Sequence, residues 1–168
     1  MKNLILIRHG KSSWDFPLRD HDRPLKKRGI FDSHLISDKL KNLLPKKFLV
    51  YSSTSRRALD TAKIVAQNLL IPVELIIQEK KLYTFDCKVL CNFIKNINNQ
   101  HESLILFCHN NAITDFVNKF GDTYIENVPT AGVVFLEFTQ DDWNLIQNGK
   151  VKKKIFPKDY KNESKTSE

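Results

Sequence analysis

Apolar and polar positions alternate along this chain in two rhythms. Four consecutive aliphatic residues, Leu4-Ile5-Leu6-Ile7, lie between Asn3 and Arg8, and so short and unbroken a run fits a strand buried on both faces of a parallel sheet. Similar runs mark strands over residues 48–51, 73–77, 104–107 and 132–138. Between them the apolar spacing lengthens to that of a helix. Ile30, Leu35, Ile36, Leu40, Leu43 and Leu44 predict a helix over residues 29–44 that Pro45 stops, and Ser55 stands at the N-cap of a second helix running to Leu70. Its stripe is Ala58, Leu59, Ala62, Val65, Ala66 and Leu69. Two more helices are expected over 85–97 and 112–120, and residues 143–146 read as an edge strand returning through the turn Gln140-Asp141-Asp142. Strands alternating with helices, without an internal repeat, predict an α/β sandwich. The polar stretch 11–27, with Trp14, Pro17 and Pro24, is too long for a simple connection and reads as a functional loop.

Composition narrows this picture. A chain of 168 residues suffices for one domain. No apolar run approaches the roughly 18 residues of a membrane span, and the four strongly apolar residues before Arg8 fall short of the about 7 to 15 of a signal-peptide core. A cytoplasmic protein with no membrane partner is expected. Cys87, Cys91 and Cys108 are odd in number and lack metal-type spacing, so they read as reduced thiols, two of them facing the core. The net charge is +8, but residues 150–168 hold seven lysines and three acidic residues and so supply half of it. That distribution suggests a domain over 1–156 followed by a basic, disordered tail over 157–168, with no nucleic-acid partner.

The chemistry gathers at strand ends. The first strand ends in Arg8-His9-Gly10, the second in Ser52-Ser53 with Arg56 and Arg57 just beyond, and the fourth in Cys108-His109. In open α/β sheets the ligand crevice lies outside the carboxyl ends of the strands, and Gly10 would let backbone approach a ligand closely. Two histidines and two or three arginines suit a phosphoryl dianion, whose oxygens pair with guanidinium forks and whose phosphorus an imidazole can attack. The residues alone leave room for plainer roles: Arg57 paired with Asp60, Arg23 with Asp20 or Asp22, and His109 as a satisfied strand-end histidine. Trp14 and Phe16 read as lid packing, and Lys26, Lys27 and Arg28 as a solvated approach to a helix.

Through Arg8-His9-Gly10-Lys11-Ser12-Ser13-Trp14, Asp20-His21-Asp22-Arg23-Pro24-Leu25 and His109-Asn110, the chain resembles the histidine phosphatase superfamily. Within it, the likeness is to the SixA-like phosphohistidine phosphatases, from about Leu4 to Leu136. The resemblance implies a phosphoglycerate mutase-like fold, a three-layer α/β/α sandwich with a mainly parallel central sheet. It also implies that His9 is a nucleophile transiently phosphorylated and that Arg8 holds phosphoryl oxygens. His109 would bind the group and assist its transfer, with Arg23 as a further anion-binding arginine. Arg57 is selected over Arg56 because it lies four residues before Thr61-Ala62. Neither cofactor nor metal is implied.

Larger members carry a proton-donating carboxylate after the third strand. Here that region reads Gln78-Glu79-Lys80-Lys81-Leu82-Tyr83-Thr84-Phe85-Asp86, with no insertion, and Glu79 is followed by two lysines. Asp20 matches an acidic position of the SixA-like pattern and is the candidate proton donor. An alkoxide leaves poorly without such a donor, whereas the imidazole of phosphohistidine is less demanding. The expected function is therefore a phosphatase acting on phosphohistidine of a signalling or phosphotransfer protein, such as a histidine phosphotransfer domain, as a monomer. The alternatives are a small-molecule phosphomonoesterase or mutase, and a phosphoprotein-binding module without turnover. One departure is Asn110-Asn111-Ala112, where many relatives have Asn-Pro-Gly; Asn111 can serve there as a helix cap.

Overall fold

The sheet is organised around the opening apolar run. In a computed structural model, which describes residues 1–161, strand β1 (Lys2–Arg8) lies between two neighbours of opposite direction. The strands that follow are β2 (Leu49–Ser52), β3 (Ile76–Gln78), β4 (Ser103–Cys108), β5 (Val133–Phe138) and β6 (Lys150–Ile155). Their order across the six-stranded sheet is β3-β2-β4-β1-β5-β6. The pairs β1·β4, β2·β4 and β2·β3 are parallel, while β5 is antiparallel to both β1 and β6.

Alternation along the strands builds two cores. Leu4 and Leu6 of β1, with Leu104 and Leu106 of β4, face helices α3 (Cys87–Lys95) and α4 (Ala112–Phe120), which bring Leu90, Ile94, Ile113 and Phe116. Ile5 and Ile7, with Ile105 and Phe107, face helices α1 (Lys27–Leu40) and α2 (Arg56–Asn68), which bring Ile36, Leu40, Ala62 and Val65. Because successive side chains of a strand point to opposite faces, a continuous aliphatic run is what two helical layers demand. The architecture is the α/β/α sandwich with a mainly parallel sheet.

Departures from the sequence reading fall at the edges. The strand expected over 73–77 starts as a turn of 3-10 helix, Val73–Leu75, and β3 keeps three residues, because this edge strand has little to bury. Residues 143–146 are not the edge strand. Trp143–Leu145 is a 3-10 turn capped by the Asp142 side chain, and the buried Trp143 donates its indole N–H to the carbonyl oxygen of His101 at 2.7 Å. The edge is β6, whose Lys150, Lys152, Lys153 and Lys154 are exposed. Lysines along an edge strand oppose pairing with other chains, so charge that composition credited to a tail belongs to the sheet.

The chain beyond β6 also differs from the expected tail at its start. Residues Pro157–Asp159 form a further 3-10 turn with Pro157 buried. The Lys39 ammonium lies 4.7 Å from the centre of the Tyr160 ring, and Lys161 reaches the Asp32 carboxylate of α1 at 3.0 Å. Residues 162–168 lie outside the described residues. Among the described residues no helix is long and apolar enough to cross a membrane. Cys91 and Cys108 are buried, Cys87 is half-buried and all three are free thiols.

Leu6 is wholly buried at the centre of the sheet. Leu6→Ala is expected to lower stability by about 2–5 kcal/mol, measured as a shifted midpoint in urea denaturation with an unchanged slope.

Candidate active site

Parallel strands bring their carboxyl ends to one edge, and the register sets Arg8 beside Cys108 and Ser52 beside Phe107. The residues that follow are therefore neighbours. The rings of His9 and His109 are 5.1 Å apart, centre to centre. His9 is buried, and its Nδ1–H donates to the carbonyl oxygen of Gly10 at 2.7 Å. A carbonyl only accepts, so this bond fixes the proton on Nδ1 and leaves the lone pair on Nε2. Arg57 directs its Nε–H at that Nε2 from 3.4 Å. Burial, reinforced by Arg57, Arg8 and Arg23, drives the His9 pKa down to about 3 against the opposing bond to Gly10.

His109 is held the other way round. Its Nε2 lies 2.8 Å from the Ser53 hydroxyl oxygen and its Nδ1 is 3.5 Å from Nη2 of Arg57. Since an arginine can only donate, Nδ1 is the accepting nitrogen and Nε2 carries the proton. Burial, then the neighbouring His9, Arg57 and Arg8, lowers its pKa to about 2.

Arg57 is the deepest of the cations, only 1% exposed in the first turn of α2, where the Ser55 hydroxyl accepts the Ala58 N–H as the sequence predicts. Its Nη1 donates to the Asp20 backbone carbonyl at 2.6 Å and its Nη2 to Asp20 Oδ2 at 3.0 Å. Asp60 pairs with the exposed Arg56 instead, which separates the two arginines that the sequence left adjacent. Arg23 is also buried. It donates from Nη1 to the Ser12 hydroxyl at 2.7 Å and from Nε and Nη2 to Asp20 Oδ1 at 3.3 and 3.2 Å, while its guanidinium carbon sits 3.5 Å from the centre of the Trp14 ring. Arg8 donates from Nη1 to the Val128 carbonyl at 2.9 Å, and its Nε is buried without a hydrogen-bond partner.

Asp20 thus joins both buried loop and helix arginines, and the Tyr83 hydroxyl donates to its Oδ2 at 2.5 Å. Burial raises its pKa, but the Tyr83 hydroxyl, Arg57 and Arg23 outweigh that and leave it at about 2. As placed, the candidate proton donor is an acceptor that holds no proton at neutral pH. Three guanidiniums, one carboxylate and two neutral imidazoles give the cluster a net charge of +2, the complement of a phosphoryl dianion.

Several sequence readings change. Packing also requires a glycine at 10: a Cβ there would lie 2.7 Å from the Gly29 carbonyl oxygen of α1. Its N–H donates to the Thr61 hydroxyl at 3.0 Å, and Thr61 in turn donates to the Arg57 carbonyl. Trp14 is 72% exposed and covers Arg23 alone, and Phe16 is also exposed, so neither packs as a lid. Helix α4 is capped by Asn110, whose Oδ1 accepts the Thr114 N–H and hydroxyl, while Asn111 turns to Asp115. Glu79 accepts the Lys81 N–H in its own turn.

The sequence reading missed Tyr83, which packs edge-on to His109, and Phe85, which does the same. Both stand in the segment searched for a carboxylate, where an aromatic pair was the available signal. Among the described residues no group of three or more histidines, cysteines and acids could hold a metal ion.

The fold and the N-terminal half of the sequence match known proteins. The sequence model of the histidine phosphatase superfamily, branch 1, matches residues 4–80. An uncharacterized chloroplastic protein of Arabidopsis thaliana is 46% identical over 65 residues, a stretch that is 37% of this chain and 29% of that protein. The structure of the protein histidine phosphatase SixA complexed with tungstate superposes with a TM-score of 0.79 at 20% identity, covering 95% of this chain and 99% of that one. A mycobacterial glucosyl-3-phosphoglycerate phosphatase bearing VO3 gives 0.67 at 14% identity, over 91% and 98%. The likeness to these structures is one of fold, the phosphoglycerate mutase-like sandwich with SixA as a near neighbour. Over residues 4–80 the chain is similar to the histidine phosphatase superfamily, branch 1.

Both imidazoles are expected to stay neutral across the physiological range. In NMR titration the ring nitrogens of His9 and His109 should keep their neutral shifts, with these tautomers, from pH 8 to pH 5. Their depressed folded values also set the sign of a stability effect. Unfolding lets both rings take up protons below about 6.5, so stability present above that pH is lost as pH falls toward 3. His109→Asn should flatten that slope in denaturation measured at pH 7 and pH 5.

Proposed function

We propose that the protein is a phosphatase that removes a phosphoryl group from phosphohistidine on another protein, by way of a phosphorylated His9. The observation that carries this reading is the His9 lone pair: Nε2 is unprotonated by tautomer and by pKa, and it lies among three guanidiniums. In the first step Nε2 forms a bond to phosphorus as the bond from phosphorus to the substrate's nitrogen breaks, and the electron pair leaves on a substrate imidazole that already carries a proton on its other ring nitrogen. Arg8, Arg57 and Arg23 neutralise the equatorial oxygens. In the second step water attacks phosphorus, the bond to Nε2 breaks, and inorganic phosphate leaves with His9 restored.

The substrate class follows from the surroundings of this nucleophile. Asp20 is ionised and engaged by three donors, which favours a leaving group that does not need a strong acid from the enzyme. Trp14, Phe16, Leu18 and Phe85 are exposed, the first and last in contact with Arg23 and His109. Exposed aromatics rimming a polar cluster suit a protein surface that presents its phosphorylated side chain.

A phosphorylated histidine phosphotransfer domain is expected to release phosphate when mixed with the protein, much faster than sugar phosphates do. Acid-quenched samples should carry a phosphate that mass mapping places on His9. His9→Ala should abolish turnover, and Arg57→Ala should lower kcat by about 10²–10³. Full activity in His9→Ala would remove the nucleophile from this scheme, and sugar phosphates turned over as well as the phosphoprotein would point to a general phosphomonoesterase.

A further inference from the structure

An arginine pair meant for a phosphoryl group is already answered by a carboxylate. Arg57 donates Nη1 to the Asp20 backbone carbonyl and Nη2 to its carboxylate, which also accepts Nε and Nη2 of Arg23. Asp20 comes from the long loop between β1 and α1. That loop is closed at its base, where Ser13 N–H bonds the Pro24 carbonyl and Lys26 N–H bonds the Lys11 carbonyl. Its tip, residues 14–22, is held beyond the loop where Asp20 accepts hydrogen bonds from Arg57 and Tyr83 and where His21 pairs with the Thr54 hydroxyl. The Asp20 side chain is 39% exposed although the guanidinium it pairs with is almost fully buried. A carboxylate at the open side of a buried cation, on a loop tied down by few bonds, is placed to leave.

We propose that Asp20 is the resting anion of the phosphoryl site, held on Arg57 and Arg23 by Tyr83, and that a phosphoryl dianion binds by displacing it. Tyr83 is then a positioning residue: it touches no reacting atom and sets how firmly the internal anion competes. The competition lowers the apparent affinity for any phosphoryl group by the fraction of time that the carboxylate is in place. It acts equally on the product, so Asp20 returning to Arg57 helps to expel inorganic phosphate. A merely structural Asp20 predicts the opposite sign, since loss of its bonds would disorder the arginines and weaken anion binding.

The inference rests on the phosphoryl site proposed above, but its test reads binding of inorganic phosphate. Failure to hydrolyse phosphohistidine would leave it standing. Isothermal titration of the whole chain with inorganic phosphate, repeated with tungstate, compares wild type with Asp20→Asn and Tyr83→Phe. Asp20→Asn should bind both anions about tenfold more tightly or better. It should melt at a lower temperature without phosphate and gain more from added phosphate than wild type does, because Arg57 then lacks its charge partner. Tyr83→Phe changes no charge and should tighten binding about tenfold, the worth of one hydrogen bond to a charged group at the low end of its range. Equal or weaker binding in Asp20→Asn overturns the proposal. So does tighter binding in Asp20→Asn with Tyr83→Phe unmoved, which would mean fixed repulsion instead of displacement. If Asp20→Asn does not fold, the Tyr83→Phe titration decides alone.

Discussion

A guanidinium buried to the depth of Arg57 must be met by an anion, and most of the site follows from that requirement. Burying a charge without a partner costs several kcal/mol even after the protein relaxes, and the fold around Arg57 offers it no acid from a neighbouring helix. The partner comes instead from the loop after β1, as both a backbone carbonyl and a carboxylate of Asp20. That attachment gives the loop its place, and with it Arg23, which shares the carboxylate, and Trp14, which lies on Arg23. Burial keeps both histidines neutral, and the same cation adds to that effect and takes part in orienting their lone pairs.

The sheet supplies the other half of the arrangement. Because β1, β4 and β2 run in parallel, their carboxyl ends deliver two histidines and, through the turn into α2, an arginine to the same few ångströms. The amino ends of these strands border a hollow of about 700 Å3 lined by Asn3, Lys46, Lys47, Phe48 and His101. It has room but no converging set of buried ionisable groups among its lining residues. Direction of the strands, more than the presence of a cavity, decides where this molecule has chemistry.

Much of this was legible in the chain. Leu4 to Ile7 announced a strand buried on both faces, and the stripe from Ala58 to Leu69 with Ser55 before it announced α2, because burial on one helical face leaves a period that composition cannot hide. Arg8, His9 and His109 were legible because each ends such a strand. Less was legible where tertiary contact overrides local pattern. Trp143 looked like a strand residue, yet its indole is buried against the His101 carbonyl, and β6 was not read as a strand because its exposed positions are lysine. Gly10 was legible as a constrained position but not for its packing, since Gly29 is remote in sequence and close in space. Tyr83 could not be found by looking for acids: its part is to hold a carboxylate that another segment provides.

That division of labour bears on the acid that the sequence appears to lack. In the resting cluster Asp20 is kept unprotonated by the hydrogen bond from Tyr83 and by Arg57 and Arg23. A dianion that takes those two arginines removes their share of what depresses its pKa, while the hydroxyl of Tyr83 still lowers it. The charge it brings also relieves the cationic field that keeps His109 from accepting a proton at Nδ1. Binding and proton affinity are reciprocal, so the anion that displaces Asp20 raises the proton affinity of the groups around it. A carboxylate with no proton in the empty site therefore suits a substrate whose leaving imidazole brings its own ring proton. The proton need not be stored on an acid waiting in the resting enzyme; it can come in on the substrate's own ring.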